Sequence, residues 1–503
     1  MTNHYDTYTS PLASRNASPE MLRLWSARHK FNTWRRIWLA VAEAQHELGL
    51  PVTKEQVEEL RAVVERPGGI TDEEMAAAER YEGELRHDVM AHVHALGDSC
   101  PKARPIIHLG MTSQDVVCNA DWATITAAFK LIMTKTVRAV LSLSVFAERW
   151  CRTPTLGFTH YQPAQPTTVG RRAALWGYDL ALAHGQAFER GPFLRGLRGA
   201  TGTQASFLDL AGGRPDLVDD LERGFIGRFT SATFKAGEWI CTNPHKVVGQ
   251  TYPRSEDARL LAELACVAAV LHKIATDIRL LSNRKELDEP FESKQIGSSA
   301  MPYKRNPMRC ERICGLTRFV MNLVGNAYDT AATQWLERTL DDSSNRRLSL
   351  PEAFLALDGA LDLMHNVASG LIVHEAMVRK NLMAELPFMA TENILMACVK
   401  LGADRQDYHE RIRQHAQAAG MRVKQEGLEN DLLERLKADA AFQSKARGGL
   451  LAGELDWDGV MDPMKYVGRS VEQTERFIKE VVEPLREQYG EAIAKLGESG
   501  PRV

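Results

Sequence analysis

Between Met111 and Thr153 the chain reads MTSQDVVCNADWATITAAFKLIMTKTVRAVLSLSVFAERWCRT, with no glycine and no proline. The two residues that most readily break a helix are therefore missing from the whole run. Within it Ile125, Phe129, Ile132, Met133, Val137, Val140 and Leu141 recur every three or four positions, the spacing of a buried helical stripe. A helix of roughly 40 residues at 1.5 Å each reaches about 60 Å. Arg254–Glu289 repeats the pattern, with Leu260, Leu264, Val267, Leu271, Ile274, Ile278 and Leu281 in register. Two more helices are predicted over Leu316–Leu348 and Glu352–Glu385, each tolerating glycine. Alternating strand patterns are nearly absent, and no heptad pattern with flanking charge pairs signals a two-stranded coiled coil. Long helices with wide apolar faces bury against one another in a bundle, so the fold class is all-α. Faces too wide for one subunit would be buried between subunits.

A length of 503 residues with 44% hydrophobic content suits a large core and two to four domains. Boundaries are expected near residues 112 and 365. They give an N-terminal helical domain (1–112), a central long-helix bundle (113–365) and a C-terminal helical domain (366–503). The charge of −3, from 62 basic and 65 acidic residues, gives no reason to expect nucleic-acid or membrane binding. The polar stretch Met1–Glu20 lacks a signal-peptide pattern, and the apolar run near Leu264–Leu271 is too short to span a bilayer. Asn16-Ala17-Ser18 matches a glycosylation sequon, by chance if no secretory signal exists. Eight scattered cysteines without a C-x-x-C pair fit a reduced, cytoplasmic protein.

Chemistry is expected on the segments between the long helices: Pro101–Gly110, Pro154–Gly170, Gly191–Gly213 and Glu289–Pro307. The most informative is 297–307, GSSAMPYKRNP. Its glycine, serines and prolines exclude a regular helix. Such a loop is ordinarily a plain surface connection. This one also presents hydroxyls, Lys304 and Asn306 beside backbone N–H groups able to cradle a carboxylate.

The run Ser298–Pro307 resembles the signature of the fumarase/aspartase superfamily, in the form seen in adenylosuccinate lyases. Fumarases and argininosuccinate lyases differ at the positions of Ala300, Tyr303 and Arg305. Further segments agree in chain order: SPLASR at 10–15, RHDVMAH at 86–92, HLGMTS at 108–113, TLGFTH at 155–160, GQTY at 249–252 and ERTLDDS at 337–343. The likeness runs from about residue 10 to about residue 425 and is nearest to the animal and fungal type.

That resemblance implies a fumarase/aspartase-like helical bundle and β-elimination of fumarate from succinyl-purine nucleotides, with no cofactor and no metal. Taking a proton from beside a carboxylate builds up negative charge there, so the site must supply a base, an acid and donors. By resemblance Ser298 is the base, on a loop that closes over the substrate, with Lys304 and loop N–H groups stabilising its anion. His160 resembles the acid that protonates the leaving nitrogen; imidazole exchanges protons near neutral pH. His87 resembles a second, substrate-positioning histidine, flanked by Arg86 and Asp88. Lys304 and Asn306 are assigned to the succinyl carboxylates, and Thr112, Ser113 and Gln250 to further substrate contacts. Arg15, Arg338, Ser343 and Arg347 match phosphate-binding positions, and Arg312 a nucleotide contact. Guanidinium suits phosphate because it binds in two-pronged fashion. Asn16, beside Arg15, stands where the family pattern has tyrosine and is counted with the substrate contacts, at a phosphate- or ribose-binding position. The family forms homotetramers with active sites shared among three subunits, which is implied here too.

Three other readings stand beside this one. The chain could be a sister lyase such as an argininosuccinate lyase, or a non-catalytic structural member of the superfamily. A face of His87, Asp88 and His92 also has zinc-ligand types, although no third ligand motif stands nearby. Arg66–Ile70 is read as a short surface insertion, and Ala446–Pro463 as an exposed connection.

Overall fold

The computed structural model describes residues 6–186, 193–234 and 242–497. The first five and last six residues, and Gly191 and Pro192 of the expected loop at 191–213, lie outside the described residues.

Five helices come first: α1 (Pro19–Leu24), α2 (Ala27–Glu47), α3 (Lys54–Val64), α4 (Asp72–Leu85) and α5 (Asp88–Ser99). The glycine- and proline-free run then forms α6 (Ser113–Arg149), 37 residues long. A hairpin, β1 (Pro154–Thr159) and β2 (Gln162–Thr168), leads to α7 (Val169–Gln186), α8 (Ala205–Leu210) and α9 (Pro215–Thr233). The remaining long helices are α10 (Ser255–Asn283), α11 (Met308–Ala332) and α12 (Asp341–Gly370). Between them, β3 (Leu287–Asp288) pairs antiparallel with β4 (Ile372–Val373). The chain ends in α13 (Glu375–Met389), α14 (Thr391–Lys400), α15 (Arg405–Glu426), α16 (Leu432–Ala438), α17 (Trp457–Val460), α18 (Ser470–Phe477) and α19 (Glu483–Ala494).

Cross-helix contacts give the direction of packing. Asp121, Lys135 and Ser142 of α6 meet Arg346, Asp362 and His365 of α12, so the two helices run parallel. Arg254 and Asp257 at the start of α10 reach Asp342 and Arg346, setting α10 parallel to both. Helix α11 returns antiparallel, with Asn326 on Asn345 near the start of α12. The predicted stripe residues Ile125, Phe129, Ile132, Leu264, Leu271 and Ile278 are all buried in the core of this bundle. A second core joins α2, α3, α5 and the start of α6 to Leu194–Phe229, and a third lies within 390–455. Phe477 and Val482 return to the central core.

Four expectations about the elements change. The predicted helix Leu316–Leu348 is two helices, broken at 333–340, where Leu336 has φ 47° and is 98% exposed. Helix α12 then runs through Pro351, which has no N–H for the Arg347 carbonyl, and stops at Gly370 rather than reaching Glu385. The Pro154–Gly170 loop is largely a β-hairpin. Its prolines, Pro163 and Pro166, hide the alternation that would have marked a strand. Finally, 446–463 is not simply exposed: Leu451 and Leu455 are buried in the third core.

Candidate active site

Three helix N-termini meet at one end of the bundle. His87 caps α5, with its Nδ1 accepting the Met90 N–H at 3.3 Å. In its neutral form the ring then carries its proton on Nε2, which lies 3.3 Å from Ser113 Oγ at the start of α6. Thr112 caps α6, its own N–H held by Asp115 Oδ2 at 2.8 Å. From the second turn of α12, Arg347 reaches Asp88 at 2.7 Å, and Ser343 lies in the first turn. Burial pushes the Asp88 carboxyl up, but the Val89 N–H, Arg347 and Lys30 together hold it below the ordinary range. Arg86 closes α4 in the left-handed region with φ 53°. Arg338 donates to Gln250 Oε1 at 3.1 Å, and the Gln250 N–H bonds to Glu337 O at 3.0 Å. Orphan N–H groups and basic side chains so arranged form a natural anion site.

Beneath this face lies a buried ionic scaffold. Arg346 donates to Asp257 (2.6 Å), Asp121 (3.0 Å) and the Tyr252 hydroxyl, which in turn donates to Asp257 at 2.7 Å. Arg254 pairs with Asp342 at 2.7 Å, and the other carboxylate oxygen of Asp342 sits 3.5 Å from Arg338 Nη2. Sequence reasoning missed Arg254, Asp257 and Arg346 because isolated charges carry no pattern. It also missed Lys30, whose ammonium is pushed down by burial and then by Arg347. Lys30 adds a cation where Arg347 already stands.

The signature loop is at the other end of α11. Glu289 accepts the Arg309 and Cys310 N–H groups (2.9 and 3.1 Å), anchoring the loop to the α11 N-terminus. Asn306 Nδ2 donates to Gly297 O at 2.8 Å, and a Cβ on Gly297 would lie 2.2 Å from Lys304 O, so only glycine fits. Ser298 Oγ accepts the Met301 N–H at 3.1 Å, and Lys304 is exposed. From Met308 to Asn326, where α11 touches the head of α12, is about 27 Å at the helical rise. Arg15 and Arg312 lie between these ends. Burial lowers the Arg312 guanidinium first, followed by the nearby charge of Arg15. Asn16 turns its side chain back onto Pro11 O at 2.9 Å.

His160 stands apart, exposed at the hairpin tip. It and Tyr161 have φ of 52° and 57°, as a two-residue turn of this hand demands, without the glycine or asparagine that would relax it. Among the described residues no hydrogen bond or ion pair joins His160 to another candidate side chain. Nor do three His, Cys, Asp or Glu gather as a metal set. His92 faces away from His87, its ring 3.7 Å from that of Phe31 in the N-terminal core.

Residues 226–322 match the family described as Lyase, and residues 387–477 match Adenylosuccinate lyase C-terminus. An adenylosuccinate lyase of Saccharomyces cerevisiae is 47% identical over 98% of this chain and 99% of its own length. The chain belongs to the adenylosuccinate lyase family. One from Schistosoma mansoni is 42% identical over 98% of each chain. The structure of 3-carboxy-cis,cis-muconate lactonizing enzyme from Pseudomonas putida superposes with a TM-score of 0.75 at 23% identity, covering 94% of this chain and 98% of that one. The fold is thus the all-α, fumarase-like one, and the protein is a lyase. The C-terminal match extends past residue 425, into a region where no motif was legible. Among the described residues no single helix is long and apolar enough to cross a membrane.

Proposed function

We propose that this lyase cleaves adenylosuccinate to AMP and fumarate, and SAICAR to AICAR and fumarate, in the cytoplasm and without a cofactor. One observation carries the reading: His87, Ser113, Ser343 and Arg347 converge on three helix N-termini in a member of this family. That face suits a phosphorylated, dianionic substrate.

In the proposed reaction Ser298 removes the proton beside the succinyl carboxylate. The resulting electron pair forms the fumarate double bond as the carbon–nitrogen bond breaks, and His160 delivers a proton to the departing nitrogen. The Met301 N–H already directed at Ser298 Oγ favours an anionic oxygen there, and Lys304 lies within the same loop. Lys304 and Asn306 would hold the carboxylates, His87 would orient the substrate, and Arg15, Arg312, Arg338 and Arg347 would take the nucleotide. Arg86, Asp88, Thr112, Ser113 and Gln250 would complete the binding face, beside Asn16.

The candidate residues occupy three stations of one chain: the helix N-termini, the signature loop about 27 Å away along α11, and the hairpin tip. Copies of the chain would unite them, and the exposed apolar side chains Leu175, Tyr178 and Leu182 of α7 and Phe319 and Tyr328 of α11 supply faces for doing so. We therefore propose a homotetramer with shared sites. The test incubates the purified, chelator-treated protein with adenylosuccinate and assays AMP and fumarate. Formation of both in equal amounts, lost in His160→Ala, is expected. A folded protein giving neither product would overturn the substrate assignment.

A further inference from the structure

Two consecutive residues in the middle of α12 hold the segment that carries Arg15. Asp358 is fully buried, and its Oδ2 accepts the Ser18 backbone N–H at 2.6 Å. Its other oxygen is fixed by Lys135 at 2.6 Å, and Lys135 also binds Asp362 at 2.8 Å. The next residue, Gly359, lets the chain come closer still. A Cβ at Gly359 would lie 2.7 Å from Asn16 O, 2.9 Å from Asn16 C and 3.1 Å from Asn16 Cβ. Side chains do not tolerate such contacts with backbone, so alanine would drive Asn16 off α12.

Helix α12 gives no other reason for a glycine here. Gly359 is helical, and a glycine inside a helix is less stable than alanine. Its value lies in the space it leaves. The turn it admits, Leu12–Asn16, is closed by Asn16 Nδ2 on Pro11 O at 2.9 Å. From that turn Arg15 projects exposed, with no hydrogen-bond or ion-pair partner among the described residues, toward the charge of Arg312. An exposed guanidinium close enough to feel the charge of a second is suited to an anion.

We propose that Gly359 is a positioning residue: by admitting the Asn16 backbone against α12 it sets where Arg15 meets the phosphate of the substrate nucleotide. This rests on the reading of Arg15 as a phosphate ligand. The effect belongs to binding rather than to proton transfer, so KM should move while kcat holds.

The test uses the full chain as Gly359→Ala, Arg15→Ala and the double variant, with wild type alongside. For Gly359→Ala the expected result is a folded protein whose Tm is lowered by about a few degrees, with kcat within about twofold and KM for adenylosuccinate raised about tenfold. In the Arg15→Ala background the same substitution should add nothing, because its route of action is gone. An unchanged KM in Gly359→Ala overturns the proposal, and so does a full additional rise in the double variant. Wild-type KM in Arg15→Ala alone would overturn the reading of Arg15 and the positioning role with it. Absence of turnover in wild type would show instead that the substrate is wrong.

Discussion

Ser298 and His160 are held in opposite ways. Ser298 sits in a loop tied by Asn306 to Gly297 O and by Glu289 to the α11 N-terminus. Replacing it with alanine is expected to lower kcat by about 10²–10⁴, the usual share of a general base, while substrate binding measured by calorimetry changes little. Full activity in that variant would remove Ser298 from the base role. His160 owes its position to a strained turn, in which Tyr161 occupies φ 57° and its ring packs 5.6 Å from Phe158. A β-branched residue fits that backbone poorly. Tyr161→Ile should cost about 1–2 kcal/mol in urea unfolding and lower turnover by displacing His160. Equal stability would show that the turn is unstrained. The identities of these residues were legible because the signature loop and TLGFTH are contiguous strings. The turn's hand was not, since neither His160 nor Tyr161 is a residue such turns select. The sequence places Asn16 among the substrate contacts beside Arg15, whereas its bond to Pro11 O required coordinates.

At the scale of elements, α6 and α10 were legible because nothing interrupts their stripes, and every stripe residue quoted for α10 is buried. The break at 333–340 was not: Thr333–Leu340 holds no glycine or proline, and the interruption comes from a left-handed Leu336. Helix α5 gives a pH-dependent prediction. Its His92 is 4% exposed and stacked on Phe31; burial, then Arg35 and Lys30, push the ring down to about 4, against the pull of Asp88. Unfolded, a histidine protonates near 6.5. Between those values the unfolded chain binds the extra proton, so stability is full above about pH 6.5 and falls as pH drops toward 4, by roughly 3 kcal/mol for this residue. His92→Phe keeps a stacked ring and removes an Nδ1 that has no hydrogen-bond partner. Its stability at pH 8 should equal or exceed wild type, and its loss between pH 6.5 and 4.5 should be smaller. An identical pH profile, followed by urea unfolding, would contradict the burial account.

On the scale of the whole molecule, α11 and α12 act as rulers. The helix N-termini with His87, Ser113 and Arg347 lie at one end, the Ser298 loop about 27 Å away along α11, and His160 on its own hairpin. The three stations were each legible as motifs, yet their separation was not, because sequence order says nothing of distance. The most direct measurement mixes purified Ser298→Ala with purified His160→Ala, after partial denaturation and joint refolding, and follows conversion of adenylosuccinate to AMP and fumarate. Each variant alone should be nearly inactive. The mixture should regain a clear part of wild-type turnover, because some reassembled sites draw an intact Ser298 and an intact His160 from different chains. A mixture no more active than its parents, when refolded wild type is active, would contradict the shared site.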